Sequence, residues 1–245
     1  MKEHRSKLTI AVRFTIACLA LLSVAISASA ETSAPVPAKA AAQQQGSNGQ
    51  GSNGRIVTAP PVPDRIKVRE GFVPFLIGHG DGTQNYVCRP TGNGGFAYVL
   101  FTPQATLFND DNKQLITHYF SPNPKEPNTD PKVVTDRQIR VTWQAQDTST
   151  IWAQLETAAT FVTDPTFVKQ DAVAWLRLAV VNHQDGPTGG ATLSNSQFVQ
   201  RVNTTGGLAP STGCASPADA GNEAFVHYTA DYVFWRAVGS QDSQD

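Results

Sequence analysis

The chain has 245 residues and a formal net charge of −1, and 16% of its residues are charged. No basic run or stripe follows the first residues, which excludes a nucleic-acid footprint. Charged residues are scarce while Gly, Pro, Ser, Thr and Asn are plentiful, the balance of an exported β-rich domain whose turns carry much of the sequence.

Residues 1–30 read as an export signal: "MKEHRSKLTIAVR" is a basic n-region, "FTIACLALLSVAIS" an apolar h-region, and "ASA" ending at Ala30 a small-residue cleavage site. The apolar run falls short of the about 20 residues of a membrane helix, and too little apolar sequence precedes Cys18 for it to serve as a lipid-modified N-terminus. Cleavage removes Lys2, Arg5, Lys7 and Arg13 against Glu3, so the net charge moves from −1 to −4. The expectation is a secreted or periplasmic protein with no later membrane-spanning segment. Cys88 and Cys214 then remain, and in an oxidising compartment the pair reads as one disulfide. Neither has a second ligand at zinc spacing.

Residues 31–64 read as a disordered linker, with the small repeat "GSNGQGSNG" and the proline-rich "TAPPVPD". Residues 65–238 form one domain, and 239–245 are a tail. Within the domain, strand-like runs recur between turn residues: "GFVPFLIG", "TQNYVC", "GFAYVLF", "ATLF", "KQLITHYF", "QIRVTWQAQ", "STIWAQL", "AVAWLRLAVV", "SQFVQRVN" and "EAFVHYTADYVFWR". About ten short antiparallel strands make an all-β, single-domain sandwich or barrel. A helical turn is expected at "SPADAG", with Ser216 as N-cap and Pro217 first. On the last strand Val226, Tyr228, Ala230, Tyr232 and Phe234 alternate as the core-facing set, with His227, Thr229 and Asp231 opposite.

"GHGDG", residues 78–82, resembles the glycine-rich oxyanion loop of lipases, but no Gly-x-Ser-x-Gly elbow occurs in the chain. The expected role of Gly78, Gly80 and Gly82 is therefore a turn between two strands, with Asp81-Gly82 as a hairpin signal. "GNGGFA", residues 92–97, matches a dinucleotide fingerprint but leads into "AYVLF", a strand, where the cofactor needs a helix. No cofactor is expected. "NDDNK", residues 109–113, reads as a hairpin turn. "NTT", residues 203–205, is a formal glycosylation acceptor.

His79, His118, His227 and Asp231 form a candidate zinc or copper cluster, although no two histidines share a metal-motif spacing. Trp143 and Trp152 form a candidate ligand platform. A hairpin centred on Asp147-Thr148 sets them directly opposite each other, as a core pair or as a surface for a sugar ring.

The blocks "GHGDGTQNYVC", "FTPQATLF", "ITHYFSP", "GPTGGATL", "FVQRVNTTGGLAPSTGC" and "YTADYVFW" together resemble the domain-of-unknown-function family 3455 across about residues 65–236. The resemblance implies an exported bacterial or fungal protein with no established activity and supplies no catalytic residues. Some members carry a malate dehydrogenase label, against which the strand after "GNGGFA" argues. Cys88 and Cys214 fall in its two most specific blocks, which strengthens their pairing. The functional expectation is a non-catalytic binding or envelope-associated module, with a polysaccharide or cell-envelope component as partner. The alternatives are a metal-dependent enzyme built on the histidine cluster and a structural or stress-related secreted protein.

Overall fold

A computed structural model describes residues 56–126, 139–157 and 159–240, together with the backbone of 48–50. Residues 1–30, expected to be an export signal, most of the expected linker and the last five residues of the tail lie outside the described residues. β-branched and aromatic side chains at alternate positions favour a pleated backbone, and the described part is built almost wholly of strands. In chain order these are β1 (Asn48–Gln50), β2 (Ile56–Thr58), β3 (Phe72–Pro90), β4 (Phe96–Phe108), β5 (Gln114–Pro122) and β6 (Ile139–Ala145), then β7 (Thr150–Leu155), β8 (Phe161–Val162), β9 (Trp175–Gln184), β10 (Phe198–Gly206) and β11 (Glu223–Ala237). The turn at Pro217–Asp219 is capped as expected, the Ser216 hydroxyl and N–H both donating to Asp219 Oδ2 at 2.9 Å.

β10, β11, β3, β4, β5, β6, β7 and β9 are successive antiparallel neighbours, and β9 pairs back onto β10. The sheet thus closes into an eight-stranded antiparallel barrel, which removes its free edges and decides between the two expected architectures. β8 adds to β9 through Phe161↔Leu176 and Val162↔Trp175. No helix among the described residues is long and apolar enough to cross a membrane.

Several strands are longer than the turn signals imply. "GFVPFLIG" and "TQNYVC" belong to one 19-residue strand, β3, and "GFAYVLF" and "ATLF" to the 13-residue β4. Gly78, Gly80 and Gly82 make no turn: they lie mid-strand, and Asp81-Gly82 is no hairpin. Their glycine character serves close packing. A Cβ on Gly80 would lie 2.9 Å from the Tyr232 ring, and one on Gly82 would lie 2.1 Å from the Gln104 carbonyl oxygen. The hairpin falls later, in the "GNGGFA" stretch, where Thr91 N–H donates to Gly95 O at 2.8 Å and the chain enters β4 directly. "NDDNK" is a turn as expected, joining β4 to β5.

One apolar cluster fills the barrel and includes Leu107, Ile116, Trp143, Ile151, Val199, Tyr228, Ala230, Tyr232 and Phe234. The expected faces of β11 hold, and Val226 is half-buried. Beyond Asp231, however, β11 is buried on both sides. Val233 and Trp235 join a second cluster outside the wall with Phe198, Val202, Trp175 and Ile66. Ala59 also packs there, and β1 pairs with β2, so the segment from residue 56 on is ordered structure rather than part of a disordered linker. Aliphatic residues such as Ala59 and Ile66 give it apolar surface to bury. Cys88 and Cys214 form a disulfide with Cα atoms 5.4 Å apart across 126 residues.

Candidate functional site

Leu107, Ile116, Ile151, Val199 and Phe234, each at most 1% exposed, pack one part of the barrel interior solidly. Next to them lies an aromatic layer. His118 stacks on Trp143 with centroids 4.5 Å apart and planes 11° apart, and Tyr232 lies 5.0 Å from His118 and 5.8 Å from Trp143. Past this layer the inward side chains shrink to Ala153 and Val173, and the barrel holds a cavity of about 610 Å³. An eight-stranded barrel is just wide enough to be filled by side chains or to hold one small ligand; this barrel does one at each end. Leu176 and Leu178 line the wall, and the half-exposed Leu100, Leu155, Phe161 and Leu208 form an apolar rim.

The wall also parts on one side. The β4–β5 ladder runs from Phe108↔Gln114 to Ala105↔His118 and stops before Pro103, which has no N–H to continue it. Phe120 N–H instead donates to Thr102 Oγ1 at 3.0 Å, and Pro103 and Phe120 border the cavity. A broader and more open hollow of about 870 Å³ runs along β3, β4 and β5, bordered by Thr83, Gln104, Thr117 and Tyr119. The interior cavity carries the more specific chemistry, because buried and half-buried polar groups converge on it.

Arg201, on the inward face of β10, is the first of these groups. Its Nε and Nη2 donate to the Ala174 carbonyl at 3.1 and 2.9 Å, and no carboxylate pairs with it among the described residues. Gln84 and Trp143 line the same cavity; Gln84 has the Tyr228 hydroxyl beside it, and Trp143 Nε1 is buried without a hydrogen-bond partner. The Tyr228 and Tyr232 hydroxyls lie 2.9 Å apart, and burial pushes both phenols up in pKa. His118 Nδ1 lies 2.9 Å from the Thr142 carbonyl, which only accepts, so this nitrogen carries the proton. Complete burial pushes the His118 pKa down to about 3. The imidazole is neutral at ordinary pH.

The four residues of the candidate metal cluster are divided by the barrel wall. His118 lies inside, in the aromatic layer. His79 and His227 lie outside, each with its own acid: His227 Nε2 is 2.9 Å from Asp81, while His79 Nδ1 and Nε2 are 2.7 Å from Asp231 and 2.9 Å from Asp110. With a carboxylate at each ring nitrogen, His79 donates twice as an imidazolium. Burial opposes its charge, but the two carboxylates outweigh this and raise its pKa. Asn203 adds a bond from Nδ2 to Asp231 Oδ2 at 2.7 Å. The cluster around His79 clamps β3, β10, β11 and the β4–β5 turn together and engages both ring nitrogens of His79. No group of three His, Cys, Asp or Glu among the described residues is arranged to hold a metal ion.

The two tryptophans do not stand opposite each other. Trp143 pairs with Ile151, and Trp152 with Thr142, because the hairpin loop has three residues rather than two. Ala145 N–H donates to Ser149 O at 2.9 Å around Gln146, Asp147 and Thr148, the last with φ 64°. The one-residue offset puts Trp152 on the other face of the sheet, where its indole N–H donates to Ser121 Oγ at 2.9 Å. Both rings are buried.

Gln84 and Arg201 were not legible as site residues from the sequence. One signal was available for Arg201: in "FVQRVN" it shares the parity of Val199, so a charge falls on a core-facing position.

The family described as "Protein of unknown function (DUF3455)" matches residues 70–236. No curated protein and no solved structure matches the chain.

Proposed function

The chain belongs to the DUF3455 family of unknown function, and from its geometry we propose that it is a non-catalytic binding module that takes a small, mainly apolar ligand into the open end of the barrel. The observation that carries this reading is a cavity of about 610 Å³ bordered by the buried, partnerless indole N–H of Trp143 and by an arginine, Arg201, that no carboxylate meets among the described residues. Most buried polar groups in folded proteins are hydrogen-bonded, and most small-molecule sites are apolar clefts of this size with a few placed polar groups. The exposed rim of Leu100, Leu155, Phe161 and Leu208 suits entry of an apolar molecule. A polysaccharide has less support, since Trp143 and Trp152 are buried on opposite faces and offer no stacking surface. The Cys88–Cys214 bond supports export, because such bonds persist in oxidising compartments.

Titration with a neutral naphthylamine fluorophore tests the reading. Saturable enhancement at one-to-one stoichiometry is expected, and Ala153→Trp, which fills the cavity, should abolish it while the protein stays folded by circular dichroism. No enhancement, or full binding to a folded Ala153→Trp variant, would overturn it.

A further inference from the structure

We infer that the ligand is an anionic amphiphile, with a carboxylate-type head held by Arg201 and an apolar body lying along Leu176 and Leu178 toward the rim. This rests on the reading of the barrel cavity as a binding site and adds the chemistry of its occupant.

The argument begins with charge. Elsewhere in the protein, partly buried arginines hold glutamates: Arg140 makes a two-pronged pair with Glu126 at 2.7 to 3.0 Å, and Arg177 meets Glu156 at 2.7 Å. Among the described residues, Arg201 has only the Ala174 carbonyl and the neighbouring Tyr232 hydroxyl. No described Asp or Glu borders the cavity, and its two charged lining residues among those described are both arginines. A guanidinium taken partly out of water without an opposite charge is unfavourable, and a dipolar carbonyl offsets that only in part. An anion arriving with the ligand supplies the missing charge.

Geometry points the same way. Nε and Nη2 each give an N–H to Ala174 and the guanidinium gives one more toward Tyr232, so N–H groups of its five remain for a carboxylate, the acceptor whose shape the planar fork matches. The buried, partnerless Trp143 Nε1 that borders the cavity is a donor, which suits a head that only accepts. A neutral carbonyl or ether would satisfy this donor but leave Arg201 unbalanced. The walls past Arg201 are aliphatic, so the rest of the ligand is apolar.

The test is displacement of the neutral fluorophore by dodecanoate and by dodecanol, which share a chain and differ in the head. Dodecanoate should bind wild type at least about tenfold more tightly, the effect of a hydrogen bond to a charged group. Arg201→Gln should bring the two within about twofold while keeping fluorophore binding. Arg201→Lys, which keeps the charge but loses the fork, should fall between them. Arg177→Gln should leave the preference intact, since that guanidinium is paired with Glu156 and does not line the cavity. Equal displacement of wild type by the acid and the alcohol, or a preference that survives Arg201→Gln, would overturn the head assignment and leave the barrel site standing. Failure of the fluorophore itself to bind wild type would overturn both.

Discussion

At one end of the barrel Leu107, Ile116, Ile151 and Phe234 leave no space between the strands, whereas at the other end β7, β9 and β10 present Ala153, Leu178 and Arg201 around a hollow. The same strands serve both ends, and the aromatic layer of His118, Trp143 and Tyr232 separates them. The packed end buries apolar surface, the main favourable contribution to folding. The open end gives that up and is held by other means: the Cys88–Cys214 bridge near the end of β3 and the second cluster outside β9, β10 and β11. Stability and binding are thereby separated along one barrel, and each end should respond differently to perturbation.

The bridge should show the largest effect. It closes a loop of 126 residues, for which chain entropy gives about 4–5 kcal/mol. Urea melts with and without reductant should differ by a value of that order, and mature protein should contain no free thiol. An unchanged midpoint on reduction would mean that the open end is already held without the bridge.

Next come matched truncations of the interior. Leu107→Ala at the packed end removes a side chain with no exposure and should cost about 2–5 kcal/mol, the range for cavity-forming changes. Leu178→Ala only enlarges a hollow that already exists and should fall at or below the lower limit of that range. Equal losses in parallel urea melts would show that the open end is packed as firmly as the closed one.

The two kinds of histidine sharpen the comparison through pH. The folded pKa of His118, about 3, is depressed below its ordinary value, so the unfolded chain binds the extra proton. Its contribution is therefore complete above pH about 6.5 and is lost as pH falls toward 3, with a slope of up to about 1.4 kcal/mol per pH unit. His118→Asn should flatten that part of the stability profile measured by thermal melts. An unchanged slope would place His118 in contact with water.

The smallest effect belongs to the outer clamp. The pKa of His79 is raised, so its contribution is present below pH about 6.5 and is lost as pH rises through the folded value. Asp231→Asn should weaken this dependence, with Asp110 still in place, at a cost below about 1 kcal/mol, since the pair is partly solvated. A loss as large as that of Leu107→Ala would show that the clamp, rather than the packed interior, holds the barrel shut.

What could be read in the sequence was local. The parity of Tyr228, Ala230, Tyr232 and Phe234 identified the inner face of β11 because a strand repeats every two residues. The disulfide was legible because only two cysteines, Cys88 and Cys214, follow residue 30. The closure of β9 onto β10 was not, since pairing between strands carries little local signal. The glycines of "GHGDG" misled because a missing Cβ serves a turn and a close strand crossing equally well. Trp152 was misplaced because Thr148 adopts φ 64°, a conformation disfavoured for a β-branched residue, and this lengthens the loop by one. Arg201 and Gln84 come together only after the sheet has closed.

The most direct measurement is a methyl-resolved NMR titration of the full mature protein with dodecanoate. Shifts at Ala153 and Leu178, with Leu107 and Ile151 unmoved, are the result expected if the open end binds and the closed end does not. Shifts confined to exposed methyls such as Val99 on β4, or spread evenly over both ends, would contradict it.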